Sequence, residues 1–242
     1  MSPPGRPKGE YLRSQHEGNP INPPGRPKGE YLRSQHEGNP MNTAATTVCV
    51  RRALPADAPG IAQVRIASWR TTYRGMIPDA YLDGMKVADS TALWQRVLTA
   101  ARNTTSVFVA EDEAGVCGFA AGLMLTEPKF EIDAELTAIY LRPHRQRAGL
   151  GRHLVAAIVK SQRAHGATAL LTWVIAGNRG ARTFYERLGG KIVAEQPFQW
   201  DGMNLVEAGY GWRDLDALAA ACDGTAANQL PHTTQTQDGR AA

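Results

Sequence analysis

The sequence predicts an α/β domain: a mixed central sheet with helices on both faces. Three observations carry this. Strand pairs of the hairpin kind, short runs bounded by turn residues, stand early and late in the patterned region. Stretches with apolar residues at helical spacing lie between them. In the middle, strands alternate with helices, as crossovers between parallel strands require.

The elements follow in order. Val48–Ala53, VCVRRA, alternates and reads as a strand. Pro55 and Asp57 open a helix with Ile61, Val64, Ala67 and Ser68 on one face. The stretch GMIPDAYLDGM breaks it, and a second helix runs from about Ser90 to Ala101, with Leu93, Val97 and Leu98 inward. Ser106–Glu111, a turn at Asp112–Gly115 and Val116–Leu125 form a hairpin. Ala134–Pro143 is a strand stopped by its proline. The helix after it carries Leu150, Leu154 and Ile158 at i, i+4 and i+8. Thr168–Ala176 is apolar nearly throughout, as a strand covered on both faces should be. NRGARTFYERLG gives a short helix ending at Gly189, a good C-cap residue. Strands near Lys191–Gln199 and Asn204–Trp212 follow, joined by WDGM.

The flanks differ. PPGRPKGEYLRSQHEGNP occurs at Pro3–Pro20 and again at Pro23–Pro40. It has too few aliphatic residues to offset its ordering entropy. Residues 1–40 are therefore read as a disordered tandem repeat or a non-native extension, with Met41 a natural start. A domain at 41–216 follows, and then a disordered tail at 217–242 rich in Ala, Thr, Gln and Gly.

Bulk chemistry excludes several classes. The 242 residues carry 27 Lys and Arg against 23 Asp and Glu, net +4. Each repeat copy holds +1, which leaves +2 for the rest. That is too little for a nucleic-acid partner without a local basic face. No apolar run approaches the roughly 20 residues of a membrane span, so no membrane partner is expected. The first 40 residues hold no apolar core of the signal-peptide kind. Cys49, Cys117 and Cys222 are odd in number and far apart, which suggests neither a disulfide framework nor a metal site. A cytoplasmic location and no metal are expected.

The densest chemistry lies in RPHRQRAGLGRHLVAAIVK, Arg142–Lys160. A strand leads into a glycine-broken turn, and a helix follows at once. Glycines let a ligand approach the backbone, and the helix start offers free N–H groups and positive dipole to a phosphate. Arg145, Arg147 and Arg152 add charged donors. The ligand is thus anionic and phosphate-bearing. A P-loop is excluded, because Arg152 and His153 follow Gly151 where Lys and Ser or Thr are needed. A dinucleotide turn is excluded because Leu154 stands at its third glycine.

Gln146-x-x-Gly149-x-Gly151 after AIYLRP resembles the acetyl-CoA motif of the GCN5-related N-acetyltransferases. AGNRGARTFYERLGG, Ala176–Gly190, resembles that family's next block. The likeness covers about Val48 to Asp214 and implies an acyl-CoA N-acyltransferase fold in which the strand before the glycine turn splays from its neighbour. By resemblance, Ile139, Tyr140 and Leu141 would bond the pantetheine arm through their backbone. Arg147, Ala148, Gly149, Gly151 and Arg152 would cradle the pyrophosphate, and Asn178 would touch the arm from the far side.

The activity implied is transfer of acetyl from acetyl-CoA, as co-substrate, to an amine of a small molecule or a protein by direct attack. An amine of pKa near 10 is about one part in a thousand neutral at pH 7, so a base must help. Glu135 stands where the resembled family often places its base, with Glu131 and Asp133 as substitutes, or is a strand-end surface carboxylate or substrate anchor; Tyr185 matches the family's acid or is a core aromatic beside Phe184. A phenol titrating near 10 can protonate a thiolate of pKa near 8.5 at modest cost. Backbone N–H groups of the central strand would stabilise the oxyanion. Trp69 and Tyr73, at i and i+4, and Tyr81 beyond them could line an acceptor pocket or belong to the core, and Trp200 and Trp212 share that ambiguity. No acidic cluster marks a polycation pocket. A homodimer is left open. The alternative is a non-catalytic acyl-CoA-binding sensor, which needs neither Tyr185 nor a carboxylate.

Overall fold

The computed structural model describes residues 48–100, 104–200 and 202–224. Both copies of the repeat lie outside them. Seven strands form one sheet: β1 (Cys49–Arg52), β2 (Thr105–Asp112), β3 (Gly115–Lys129), β4 (Ile132–Leu141), β5 (Leu170–Ile175), β6 (Lys191–Trp200) and β7 (Met203–Trp212). Their order across the sheet is β1-β2-β3-β4-β5-β7-β6. Among the described strands of this sheet only β4 and β5 pair in parallel, so the sheet is mixed as expected.

Helices α1 (Ala58–Thr72) and α3 (Val87–Thr99) cover one face. Ile61, Val64, Leu93 and Trp94 pack there on Val109, Phe119 and Ala121. Helices α4 (Leu150–Ala164), α5 (Arg179–Arg187) and α6 (Leu215–Asp223) cover the other. The stripe Leu150, Leu154, Val155, Ile158 and Val159 meets Ala120, Leu136, Leu170 and Tyr210 in the larger core cluster.

Three elements differ from the sequence reading. The stretch read as a break contains α2 (Asp79–Gly84), whose Leu82 is fully buried beside Trp69, Tyr73 and Ile77. Six residues are too few for a periodic signal to stand out. The β3–β4 turn places Phe130 and Glu131 at φ 55° and 61°, a mirror-image turn without the usual Asn or Gly. Helix α6 occupies the start of what was read as a disordered tail from 217. The Asp214 side chain caps it by accepting from the amides of Asp216 and Ala217, and Leu215, Leu218 and Cys222 bury one face. Residues 225–242 of that tail lie outside the described residues.

Candidate active site

β4 and β5 pair only at Ala134–Leu170 and Glu135–Leu171. Beyond these pairs the strands part, and the cause lies in β4. Its register against β3 steps from Leu136–Gly122 to Ala138–Ala121, which leaves Thr137 as an extra residue. Such a bulge bends its strand and sharpens the local twist. A last stitch closes the fork: Thr172 Oγ1 donates to the Leu136 carbonyl at 2.9 Å.

Past the fork, β3 holds the outer edge of β4 and β7 the outer edge of β5. The amide of Arg142 donates to the Cys117 carbonyl at 2.8 Å. Antiparallel alternation then directs the backbone groups of Ala138 and Tyr140 to β3 and those of Ile139 and Leu141 to the gap. The Leu141 carbonyl already accepts from Ser68 Oγ at 3.0 Å and from Gln146 Nε2 at 3.3 Å. Tyr140 thus departs from its expected backbone role. Its ring lies toward α1 instead, tilted against Trp69 and Phe119.

The turn after β4 enters α4 through two left-handed residues, Arg147 at φ 64° and Gly149 at φ 82°. Left-handed residues in a turn gather successive N–H groups into an anion-binding concavity. Asn178 and Asp214 cap α5 and α6 with their side chains, but no side chain caps α4, whose N-cap is Gly149. Its first amides and the helix dipole therefore face outward together. A Cβ on Gly149 would lie 3.5 Å from the Arg152 guanidinium. Arg147, Ala148 and Arg152 are exposed at the rim.

Gly151 also faces a neighbouring helix. A Cβ there would come within 3.3 Å of the Phe184 ring, tighter than ordinary contact, so the close approach of α4 to α5 favours glycine as well. Arg145, expected among the phosphate donors, is bound to Asp112 at 2.7 Å. An outward cradle beside an open strand edge fits coenzyme A, with the diphosphate at the helix start and the arm along the edge.

Tyr185 comes from α5 on the α4 face. It is buried at 5 % exposure between Phe184, Tyr210 and Trp212. Its hydroxyl lies near the Thr172 side chain, at the fork itself. Burial pushes that hydroxyl well above the ordinary tyrosine range, partly offset by Thr172. Asn178 caps α5, accepting from the Ala181 amide at 3.1 Å.

Glu135 is 6 % exposed and lines a cavity of about 140 Å³ on the α1 face. Trp69 and Tyr73 line it too, stacked edge-on at 5.1 Å. They are at once core and cavity wall. The two substitutes for Glu135 are occupied elsewhere. Asp133 accepts from the amides of Thr168 and Ala169 and from Thr168 Oγ1, and Glu131 pairs with Arg213 at 2.8 Å. Trp212 belongs to the core, its Nε1 donating to the Leu188 carbonyl at 2.8 Å.

The model of the acetyltransferase (GNAT) family matches residues 67–190, half of the chain, and spans the fork, the cradle and α5. The chain belongs to the GNAT acetyltransferase family. It is accordingly an acetyl-CoA-dependent acyltransferase. Among its relatives is the uncharacterized N-acetyltransferase YuaI of Bacillus subtilis, 40 % identical over 172 residues, covering 71 % of this chain and 96 % of that protein. The fold is similar to that of the PaiA N-acetyltransferase of Thermoplasma acidophilum, solved with coenzyme A: TM-score 0.53, 19 % identity, 67 % of this chain and 98 % of that one. It is also similar to YncA of Salmonella typhimurium, a putative acetyltransferase solved with acetyl-CoA, at TM-score 0.52 and 21 % identity over 69 % of this chain and 94 % of that one.

Sequence reasoning missed three residues of this GNAT cavity. Arg65 on α1, Trp94 on α3 and Glu207 on β7 all line it. Arg65 carried a legible signal: it continues the inward ladder Ile61, Arg65, Trp69, Tyr73 at four-residue steps, where a charge is out of place. Glu207 is 3 % exposed and accepts from Gln196 Nε2 at 2.9 Å. Its position depends on β5–β7 pairing, opposite Ile175, which local sequence does not encode.

Proposed function

We propose that this chain transfers an acetyl group from acetyl-CoA to the amine of a small molecule, by direct attack in a ternary complex. The observation that supports it best is the fork. One gap opens toward an anion cradle and a buried phenol on one face, and toward a cavity with a buried carboxylate on the other.

Bound acetyl-CoA would supply a thioester carbon and a thiolate leaving group. The chain's residues would do the rest. The amides of Leu150 and Gly151, with Arg147, Ala148 and Arg152 at the rim, would hold the diphosphate. The open edge at Ile139 and Leu141 would align the arm. Glu135 would take the ammonium proton of the acceptor, directly or through water. Tyr185 stays protonated at any physiological pH, because burial raises it. It would give its proton to the leaving sulfur. The cost exceeds that of an ordinary phenol by about 1.4 kcal/mol per unit of added pKa. Backbone N–H groups of β4 at the gap would face the developing oxyanion.

No helix among the described residues is long and apolar enough to cross a membrane. The spacing of the three cysteines, all free, supports action in a reducing cytoplasm. Thiol release from acetyl-CoA across an amine panel, with intersecting initial-velocity patterns, is the expected result. Tight coenzyme A binding without release by any amine would make the chain a sensor instead.

A further inference from the structure

The inner cavity does not stand alone. Arg65 and Leu93 also line a second hollow of about 570 Å³ between α2 and α3. The two share a wall, and the charges along them are ordered. Glu135 and Glu207, both buried, mark the inner end near the fork. Arg65 stands at the junction, and Lys86, Arg96 and Asp89 surround the outer hollow.

Arg65 is 8 % exposed, and its guanidinium lies 4.6 Å over the Trp69 ring. Burial is the largest influence on it and lowers its pKa. The hydroxyls of Tyr140, Tyr81 and Tyr73 act in the opposite sense. Holding a guanidinium in such surroundings is costly, and a planar fork of donors matches an oxyanion. Two donors of other residues also border the cavities. Among the described residues, the Nε1 of Trp94 at the inner cavity and the Oγ of Ser90 at the outer one are buried without a hydrogen-bond partner. Buried polar groups without partners are rare, and a ligand is one way to satisfy them.

Resting on the transferase reading above, we infer that the acceptor is a small zwitterion: an amine carrying an oxyanion a few bonds away, in the manner of a free amino acid. Its ammonium end lies toward Glu135 and Glu207, and its anionic end toward Arg65 with the Trp94 N–H. The inner cavity, about 140 Å³, is small and suits an amine-bearing head. The outer hollow falls within the size range of small-molecule sites and takes the remaining side chain.

The test measures thiol release from acetyl-CoA with the free amino acids, their α-carboxamides and a set of polyamines. Free amino acids should exceed the matching carboxamides by about 10- to 100-fold in kcat/KM, the scale of one charged hydrogen-bond set. Arg65→Gln should raise KM for free amino acids by a similar factor, about 10- to 100-fold. It should leave the carboxamides and acetyl-CoA little changed, and Arg65→Lys should recover part of the loss. Trp94→Phe keeps the ring and removes the N–H, so it decides the matter if the Arg65 variants fail to fold; it should weaken free amino acids only.

Equal use of acids and carboxamides by the native chain overturns the inference, as does equal loss of both in Arg65→Gln. Release with polyamines or neutral amines alone overturns it and leaves the transferase standing. No release with any amine removes the transferase reading and this inference together.

Discussion

Replacing Gly149 with valine separates the cradle from the fold. Gly149 sits at φ 82°, and a Cβ there would meet nothing nearer than the Arg152 guanidinium at 3.5 Å. The penalty to folding is therefore backbone strain, about 1–3 kcal/mol for a side chain held in that region. At roughly 2–4 °C per kcal/mol for a domain of this size, Tm should fall by several degrees. Binding should fall much further. Displacing the turn forfeits at least two charge-assisted bonds from the amides of Leu150 and Gly151, each worth about 1.5–3 kcal/mol. The expected loss in coenzyme A affinity is about 100-fold or more. Gly166, at φ 93° with nothing within 4 Å of its Cβ position, lies at the other end of α4 and supplies the control. Gly166→Val should lose a similar Tm and no affinity. Calorimetric titration of both variants with coenzyme A checks this. Near-native affinity in Gly149→Val, or equal loss in the two, refutes the cradle.

Other outcomes follow from the buried groups. Tyr185→Phe should lower kcat by about 100- to 10,000-fold with little change in coenzyme A affinity. Because burial raises Tyr185, the native rate should show no alkaline limb near pH 10 that this variant removes; such a limb would mean that Tyr185 titrates like an exposed phenol. Acid stability has a definite sign. Asp57 is held down by Arg51, while Asp112 and Asp133 are raised by burial but lowered further by their amide and side-chain donors, so all three carboxyls are net depressed. Their contribution is complete above the unfolded value near 4 and is lost as pH falls through the lower folded values. Tm should be level from about pH 5 to 7 and drop below about pH 4; Asp133→Asn should lower Tm at neutral pH and flatten the acid limb. Leu218→Ala should cost about 2–5 kcal/mol in denaturant unfolding, because its side chain is 1 % exposed against the α4 face. A smaller loss would mean that α6 is marginal.

Much of this was readable because local chemistry and fold agree. The apolar ladder Leu150, Leu154, Ile158 and the turn Gln146–Gly151 specify a helix and its mouth without help from distant residues. Tyr185 was singled out by the resemblance of its block and not by local chemistry; the structure buries it in the core with Phe184 and Leu188. What stayed hidden depends on pairing across the sheet. Nothing in the sequence around Arg145 announces Asp112, 33 positions earlier, as its partner. Spacing also gave no hint that a Cβ at Gly151 would crowd Phe184 of α5 as well as any ligand at the helix start. The cavity beside Glu135 draws on α1, α3, β4, β5, β6 and β7, so local sequence hinted at it only through the aromatic pair Trp69 and Tyr73 and through Arg65, a charge in an apolar ladder.

The residue least conspicuous in the sequence does the most for the site. Thr137 is the extra residue of β4, and a one-residue shift sends every later side chain to the opposite face. With it present, Ile139 and Leu141 pack toward α4 while Tyr140 reaches the α1 cavity. Deleting Thr137 should reverse these directions, remove the bend that parts β4 from β5, and abolish coenzyme A binding. Thr137→Val separates the bulge from its hydroxyl. It loses only the bond to the Ala121 carbonyl at 3.1 Å, about 1 kcal/mol, and should bind coenzyme A normally. Hydrogen exchange at the amides of Ile139 and Leu141 reports on the gap directly: fast in the native chain and in Thr137→Val, slow in the deletion if the strands zip together. Retained coenzyme A binding by a folded deletion variant would show that the fork does not depend on the bulge. The site would then owe its shape to the helices above and below the sheet.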